Sequence, residues 1–233
     1  MEKTLPAPIS VVIPTLNAQS GLPEVSVALS DGLQAGLIAE LVISDGGSSD
    51  ATLEIAEELG ARVVTGPASR GGQLLRGVAA AEGPWLLLLH ADTVLDRGWT
   101  QAVENHLKLP GKAAYFRLRF QATGFWPWLV AGWANLRSRM FSLPYGDQGL
   151  LIHRDLLAQV GGIQDIPLME DVALARALRG RLVMLPVMAA TSAHKYQRDG
   201  WLSRSIKNGL TLTRYVLGTS PEKLAASYRR KVD

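Results

Sequence analysis

A run of five apolar residues, Trp85-Leu86-Leu87-Leu88-Leu89, ends abruptly at His90-Ala91-Asp92. The run is too short for a helix of its own and holds neither Gly nor Pro. It predicts a strand buried on both faces, as in a parallel sheet. A carboxylate at the end of such a strand lies at the carboxyl edge, where open α/β sheets bind ligands. His90 and Asp92 are two residues apart and share one side if extended geometry continues. Such a pair could grip a hard divalent cation through an oxygen, with the imidazole beside it. The competing reading is a strand-end Asp that caps the next turn.

Two other segments share this design. Residues 9–13 form an apolar strand stopped by Pro14, and Thr15 or Asn17 is a candidate cap for the helix that follows. Residues 41–44 run into Asp45-Gly46-Gly47-Ser48-Ser49-Asp50, and a helix over 51–59 stops at Gly60. Asp45 could accept hydrogen bonds from a base or ribose, and Gly46-Gly47 would let backbone approach a ligand; the alternative is a simple turn. A short strand at 62–64 and a helix over 69–81 lead back to the Trp85 run. Strand and helix alternating with short connections predict an α/β fold with a mostly parallel central sheet flanked by helices. Three polar strand ends would then converge on one edge.

After Asp92 the alternation loosens. The pattern gives a helix over 99–107, a strand over 114–122, a Trp-rich helix over 126–141 and a strand at 150–152. A helix over 171–178, a strand at 182–185 and a long amphipathic helix over 201–217 complete it. Nothing reads as an interdomain linker, so residues 1–233 are expected to form one domain. Its donor-binding half would cover about 1–95, its acceptor half about 96–200, and a C-terminal helical tail about 201–233.

The hydrophobic fraction of 47% and charged fraction of 19% argue for a core and against disorder. There is no cysteine, which removes disulfides, thiolate metal sites and cysteine nucleophiles together and fits a cytoplasmic location. No apolar stretch reaches the roughly 20 residues of a membrane helix. From residue 195 to the end, nine Lys or Arg face three Asp or Glu, so the tail carries the basicity. Such a tail could meet anionic lipid or an anionic ligand, or be a solvated helix face. Nucleic acid is not expected as a partner.

No Gly-x-Gly-x-x-Gly, no phosphate-loop motif and no His-Glu-x-x-His occurs. Met169-Glu170-Asp171 precedes a helix, where adjacent carboxylates serve as caps or supply a general base. The ordered set VVIPTLN, SDGGSSD, LLLLHADT, GDQG and MEDVAL resembles the family 2 glycosyltransferases of the GT-A, or nucleotide-diphospho-sugar transferase, fold. SRGGQLLRG, YFRLRF, ANLRSR and LPYGDQGL further resemble a compact subfamily associated with selenium metabolism, similar to the selenosugar synthases of selenoneine biosynthesis.

That resemblance implies roles. Pro14, Thr15, Asn17, Asp45 and Gly46 would line a nucleoside pocket, with Arg70 and Gln73 reaching ribose or diphosphate. Asp92, next to Ala91, stands for the last carboxylate of the family's Asp-x-Asp motif, which holds Mg²⁺ or Mn²⁺; His90 replaces the first, which puts the metal in doubt. Asp92 and His194 are the candidate metal ligands. Gly146, Asp147, Gln148, His194 and Lys195 would contact substrate. Asp171 matches the catalytic base, with Glu170 beside it. The implied reaction inverts the anomeric carbon of UDP-glucose or UDP-N-acetylglucosamine, with a small anionic acceptor such as selenophosphate. For that anion, Arg117, Arg119, Arg137, Arg139, His194 and Lys195 are candidate partners. The alternatives are a lipid or other hydroxyl acceptor, and a non-catalytic sugar-nucleotide-binding protein. Trp126, Trp128 and Trp133 could form a lid, a homodimer surface or a peripheral membrane contact, or simply pack.

Overall fold

The run that stops at Asp92 lies near the middle of the sheet. The computed structural model describes residues 7–229. All four residues of β4 (Trp85–Leu88) are buried, between β1 (Ile9–Thr15), a parallel neighbour, and β7 (Leu150–His153), an antiparallel one. β2 (Ile38–Asp45) and β3 (Arg62–Thr65) extend the parallel half beyond β1. On the other side come β6 (Ala113–Phe120), β8 (Leu182–Thr191) and β5 (Thr93–Leu95). The full order is β3-β2-β1-β4-β7-β6-β8-β5.

The sheet is therefore mixed: the first half is parallel throughout, as expected, and the second half combines parallel and antiparallel pairs. β6 and β8 are parallel, whereas β7 runs against both its neighbours and β5 against β8. Antiparallel neighbours do not require the crossover helix that parallel ones do, so strand–helix alternation stops being a guide after Asp92. Two further differences follow from edge pairing. Thr93–Leu95 is a strand because it pairs with Ala189 to Thr191, and that pairing lengthens β8 well past the expected 182–185.

The helices are α1 (Leu22–Gln34), α2 (Thr52–Glu58), α3 (Arg70–Ala80), α4 (Trp99–His106), α5 (Phe125–Phe141), α6 (Arg154–Gln159), α7 (Glu170–Ala177), α8 (His194–Asp199), α9 (Trp201–Val216) and α10 (Pro221–Arg229). The short α6, α8 and α10 lack a long hydrophobic period and are not visible as separate helices in the sequence pattern. α1 starts at Leu22, behind Gly21 and without a side-chain cap, so neither Thr15 nor Asn17 caps it. Both side chains are committed elsewhere, as described below.

Side chains alternate across β1, and this divides the core into two layers. Val11 and Ile13 join Trp99, Phe116 and Leu151 on one face, while Val12 joins Leu86, Ile152 and Leu178 on the other. A third cluster of Leu118, Phe120, Ala131, Ala134 and Ala193 seats α5. α3 approaches the sheet closely because Gly77 lies over Val12, and its first turn lies against residues 164–166, where the Gly71 N–H donates to the Ile166 carbonyl at 3.1 Å. That packing aims Arg70 at the carboxyl edge.

Trp99 is fully buried, its indole N–H donates to the Ala28 carbonyl at 3.0 Å, and its ring lies against Gly32. Trp99→Ala is expected to cost about 3–5 kcal/mol, read from the denaturation midpoint and slope. An unchanged midpoint would contradict the packing described.

Candidate functional site

Because β1 and β2 are parallel and in register at Thr15 and Asp45, their polar ends meet. Asp45 is fully buried. Its Oδ1 accepts the N–H groups of Gly47 (2.7 Å) and Ser48 (2.8 Å), and its Oδ2 accepts the hydroxyls of Ser48 (2.5 Å) and Thr15 (3.0 Å). Burial alone would raise its pKa, but these donors, Ser48 foremost, hold the carboxyl below its ordinary value. The Gln73 amide nitrogen donates to the carbonyls of Thr15 (2.7 Å) and Ser44 (3.1 Å) and lies against Gly46. Asn17, at φ +53°, accepts the Ser49 N–H on Oδ1 and donates its own N–H to Ser48 Oγ. The residues expected at a nucleoside pocket thus converge. The Asp45 carboxylate and the Gln73 amide nitrogen, however, are spent on the protein, so they shape the strand ends rather than offering those atoms to a base or ribose.

The Gly146–Gln148 stretch is a 3₁₀ turn leading into β7. Gln148 does not face substrate, contrary to expectation, because it is fully buried and its amide serves the protein. Its Oε1 accepts from Ser138 Oγ (2.6 Å) and the Tyr145 N–H (3.3 Å), and its Nε2 donates to the Phe116 carbonyl (3.1 Å). The turn it fixes does face substrate space. The Gly146 N–H donates to Asp171 Oδ2 at 2.8 Å, and the His90 ring packs on Gly146 so closely that a Cβ there would overlap it. Asp171 Oδ1 accepts the Val172 N–H at 2.7 Å. The base candidate is thereby clamped at the start of α7, directly after Met169, which adopts a left-handed φ of +70°.

Between these elements and the pair α5 and α9 lies a cleft of about 470 Å³. Its inner wall gathers Asp92, Asp147 and Asp171 with Arg70 and Lys195, and Arg204 faces them from α9. Its outer wall, including Phe120, Val130, Trp133, Phe141 and Leu212, is apolar. Arg137 lies over the Tyr145 ring, 3.5 Å from its centroid. Burial raises Asp147 to about 6, opposed by Arg137 and reinforced by Asp171 and Asp92. Burial also lowers Lys195, with the Arg70 charge adding to it. His90 is lowered chiefly by burial, against the pull of Asp92, so a neutral imidazole is favoured. Asp147 Oδ1 and Arg137 Nη2 are buried without a hydrogen-bond partner, and such atoms mark places for a polar ligand.

Of the cations expected around an anionic acceptor, Arg137 and Lys195 line the cleft. Arg117 and Arg119 belong to the exposed side of β6, where Arg119 pairs with Asp96 at 2.6 Å. Arg139 is exposed on the last turn of α5. His194 is exposed at the start of α8 and is not among the residues that line the cleft. Ala91 is held by its carbonyl against Gly21. Arg204 and Tyr196 escaped the sequence reading. Arg204 lies on the polar stripe of an amphipathic helix, and Tyr196 is fixed by a stack on Trp201 and an edge contact to Phe120.

Among the described residues no group of three or more His, Asp or Glu is arranged to hold a metal ion. Asp92 offers a carboxylate, and His90 is neutral and packed on Gly146. This donor set fits a cation that arrives with a diphosphate and takes phosphate and water oxygens, rather than one caged by protein.

Behind the cleft, Glu170 enters a small cavity of about 40 Å³ among Leu74, Leu88, Ile163 and Leu174. Its Oε2 has no partner, and burial first, then Asp171, pushes it to about 7. A carboxyl raised in the fold costs stability as pH climbs from its unfolded value toward its folded one. Glu170→Gln is therefore expected to raise the denaturation midpoint at pH 8 and to leave it unchanged at pH 4. Equal midpoints at pH 8 would show that Glu170 is not buried as described.

The model of the glycosyl transferase family 2 matches residues 10–154. An uncharacterized glycosyltransferase of Mycobacterium tuberculosis is 31% identical over 123 residues, which cover 52% of this chain and 54% of that protein. A PGL/p-HBAD biosynthesis glycosyltransferase of the same organism is 32% identical over 166 residues, covering 65% and 61%. The chain thus spans little more than half the length of these curated relatives. Among solved structures, S. aureus TarS (residues 1–349) superposes with a TM-score of 0.63 at 15% identity, over 91% of this chain and 66% of that one. M. tuberculosis glucosyl-3-phosphoglycerate synthase, in complex with Mn²⁺, UDP and glucosyl-3-phosphoglycerate, superposes at 0.52 with 22% identity, over 79% and 70%. With a mixed sheet, its polar strand ends and a clamped Asp171 already in place, the match over residues 10–154 settles the family: the chain belongs to glycosyl transferase family 2.

Proposed function

We propose that the chain transfers a sugar from a UDP-sugar to an acceptor bound in the cleft, with inversion at the anomeric carbon. The observation that carries this is the cleft's inner wall. Asp171 is held in place by two backbone N–H groups, and Arg70 and Lys195 stand near Asp92 at the end of β4. In the reaction the acceptor attacks the anomeric carbon while the bond to the β-phosphate oxygen breaks. Charge then grows on the departing UDP. Arg70 and Lys195 are positioned to stabilise it, and their mutual repulsion falls when an anion sits between them. Asp171 takes the proton of a hydroxyl acceptor. Asp92 would hold a Mg²⁺ or Mn²⁺ bound to the diphosphate, and such an ion would neutralise leaving-group charge. A neighbour crystallised with Mn²⁺ and UDP supports this reading. UDP-glucose and UDP-N-acetylglucosamine, present in neighbouring structures, are the donors to test first.

The acceptor reading favoured here is a small anion held by Arg137, Lys195 and Arg204. Selenophosphate is the specific candidate, on the strength of the sequence resemblance. Its selenium arrives already anionic, so attack on the anomeric carbon would give a Se-glycosyl selenophosphate and UDP without needing a base, and cleavage of its P–Se bond by water would then release phosphate and the 1-seleno sugar. A second reading has its own observation: the apolar outer wall suits the body of an amphiphilic hydroxyl acceptor, and a curated relative is a PGL/p-HBAD biosynthesis glycosyltransferase.

Incubation with each UDP-sugar, with and without selenophosphate, followed by mass spectrometry of the products, separates these readings. If the acceptor is a hydroxyl, Asp171→Asn is expected to lower turnover about a hundredfold to ten-thousandfold. If it is selenophosphate, the same variant retains most of its turnover and Lys195→Met loses it. Absence of UDP release from every donor and acceptor pair would overturn the enzymatic reading in favour of sugar-nucleotide binding alone.

A further inference from the structure

The two helices that form the outer wall of the cleft are inverted with respect to water. α5 turns Pro127, Ala131, Ala134 and Ser138 inward, and its outward side carries Trp128, Trp133, Leu136 and Met140. Trp128 is 70% exposed and Met140 65%. α9, which packs against α5, buries Arg204 and presents Leu202, Ile206 and Leu210 at a four-residue period. Large side chains outside and small or charged ones inside is the reverse of a water-facing helix, where the apolar stripe turns to the core. Two adjoining helices built this way form an apolar patch that needs a cover.

Charge identifies the cover. On α5 and α9, Arg139 and Arg214 are exposed and Lys207 is half-buried, Arg137 and Arg204 turn into the cleft, and neither helix carries Asp or Glu. Two copies of this face brought together would set cation against cation, which opposes a homodimer through it. Exposed Trp beside Arg and Lys on an amphipathic helix is instead the composition that settles at a lipid headgroup boundary. No helix among the described residues is long and apolar enough to cross a membrane, so attachment would lie in the plane of the surface. Val130, Trp133, Phe141 and Leu212, from these same helices, also line the cleft, so its mouth would lie at that surface.

We propose that the joined outer face of α5 and α9 docks on the surface of an anionic lipid bilayer. This stands apart from the acceptor assigned above, since a docked enzyme could use either a soluble or a lipid acceptor. The test is co-sedimentation of the full chain with vesicles of phosphatidylcholine alone or mixed with phosphatidylglycerol, with tryptophan emission recorded alongside. Binding to the mixed vesicles, a blue shift and weakening by salt are expected. Arg139→Glu with Arg214→Glu should weaken binding about tenfold or more, and Trp128→Glu with Leu210→Glu should abolish it. All four positions are exposed, and circular dichroism of each variant checks the fold. Failure to sediment with mixed vesicles overturns the proposal. So does a concentration-dependent dimer that Trp128→Glu dissolves, which would assign the face to a second copy.

Discussion

Gln148 is the contact on which the acceptor half depends. A buried primary amide must satisfy both its donors and its acceptor, and here the partners come from three elements: the β6 backbone, Ser138 of α5 and the Tyr145 N–H. This one side chain fixes the height of α5 over the sheet and the path of the 3₁₀ turn. The turn in turn presents the Gly146 N–H to Asp171 and supports the His90 ring. Residues read from sequence as contacting substrate are thus split by one position: Asp147 faces the cleft, and Gln148 anchors the wall behind it.

The cleft holds its charges at some cost. Asp147 and Glu170 are raised by burial and by carboxylate neighbours, while Lys195 is lowered by burial and by Arg70. Groups of both signs line one cleft before any ligand arrives, Arg70 and Lys195 exposed at its surface and Asp147 half-buried within it. A bound diphosphate or anionic acceptor meets dipoles and charges that need not reorganise. Asp45 is the contrast. Its carboxylate is fully buried, and four donors hold its pKa below the ordinary value, so its oxygens are spent on stabilising the strand ends.

Much of the fold was legible because the parallel half obeys simple periodicities. The Trp85 run, the strand before Pro14 and the strand before Asp45 end together at one edge, as their shared design implies. What escaped depends on pairing across the chain. Thr93–Leu95 becomes a strand only because β8 passes beside it, and antiparallel β7 leaves no mark in its own four residues. At the site, residue type revealed chemistry better than direction. Asp92, Asp171 and Lys195 reached the cleft, whereas His194, Arg117 and Arg119 did not, since the facing of a short helix or of one side of a strand follows from packing. Arg204 was hidden for the same reason: its helix reads as amphipathic, but with the opposite face inward.

Met169 carries one further implication. A non-glycine residue in the left-handed region costs roughly 1–2 kcal/mol, and this one immediately precedes the Glu170-Asp171 pair at the start of α7. The energy is stored where the chain must turn sharply enough to bring a carboxylate up to the Gly146 N–H. Selection for thermal robustness alone would favour glycine at 169, and the relaxed hinge would let the carboxylate wander. Directed evolution of this scaffold should accordingly meet its sharpest conflict between durability and turnover at a position that contributes no reacting atom.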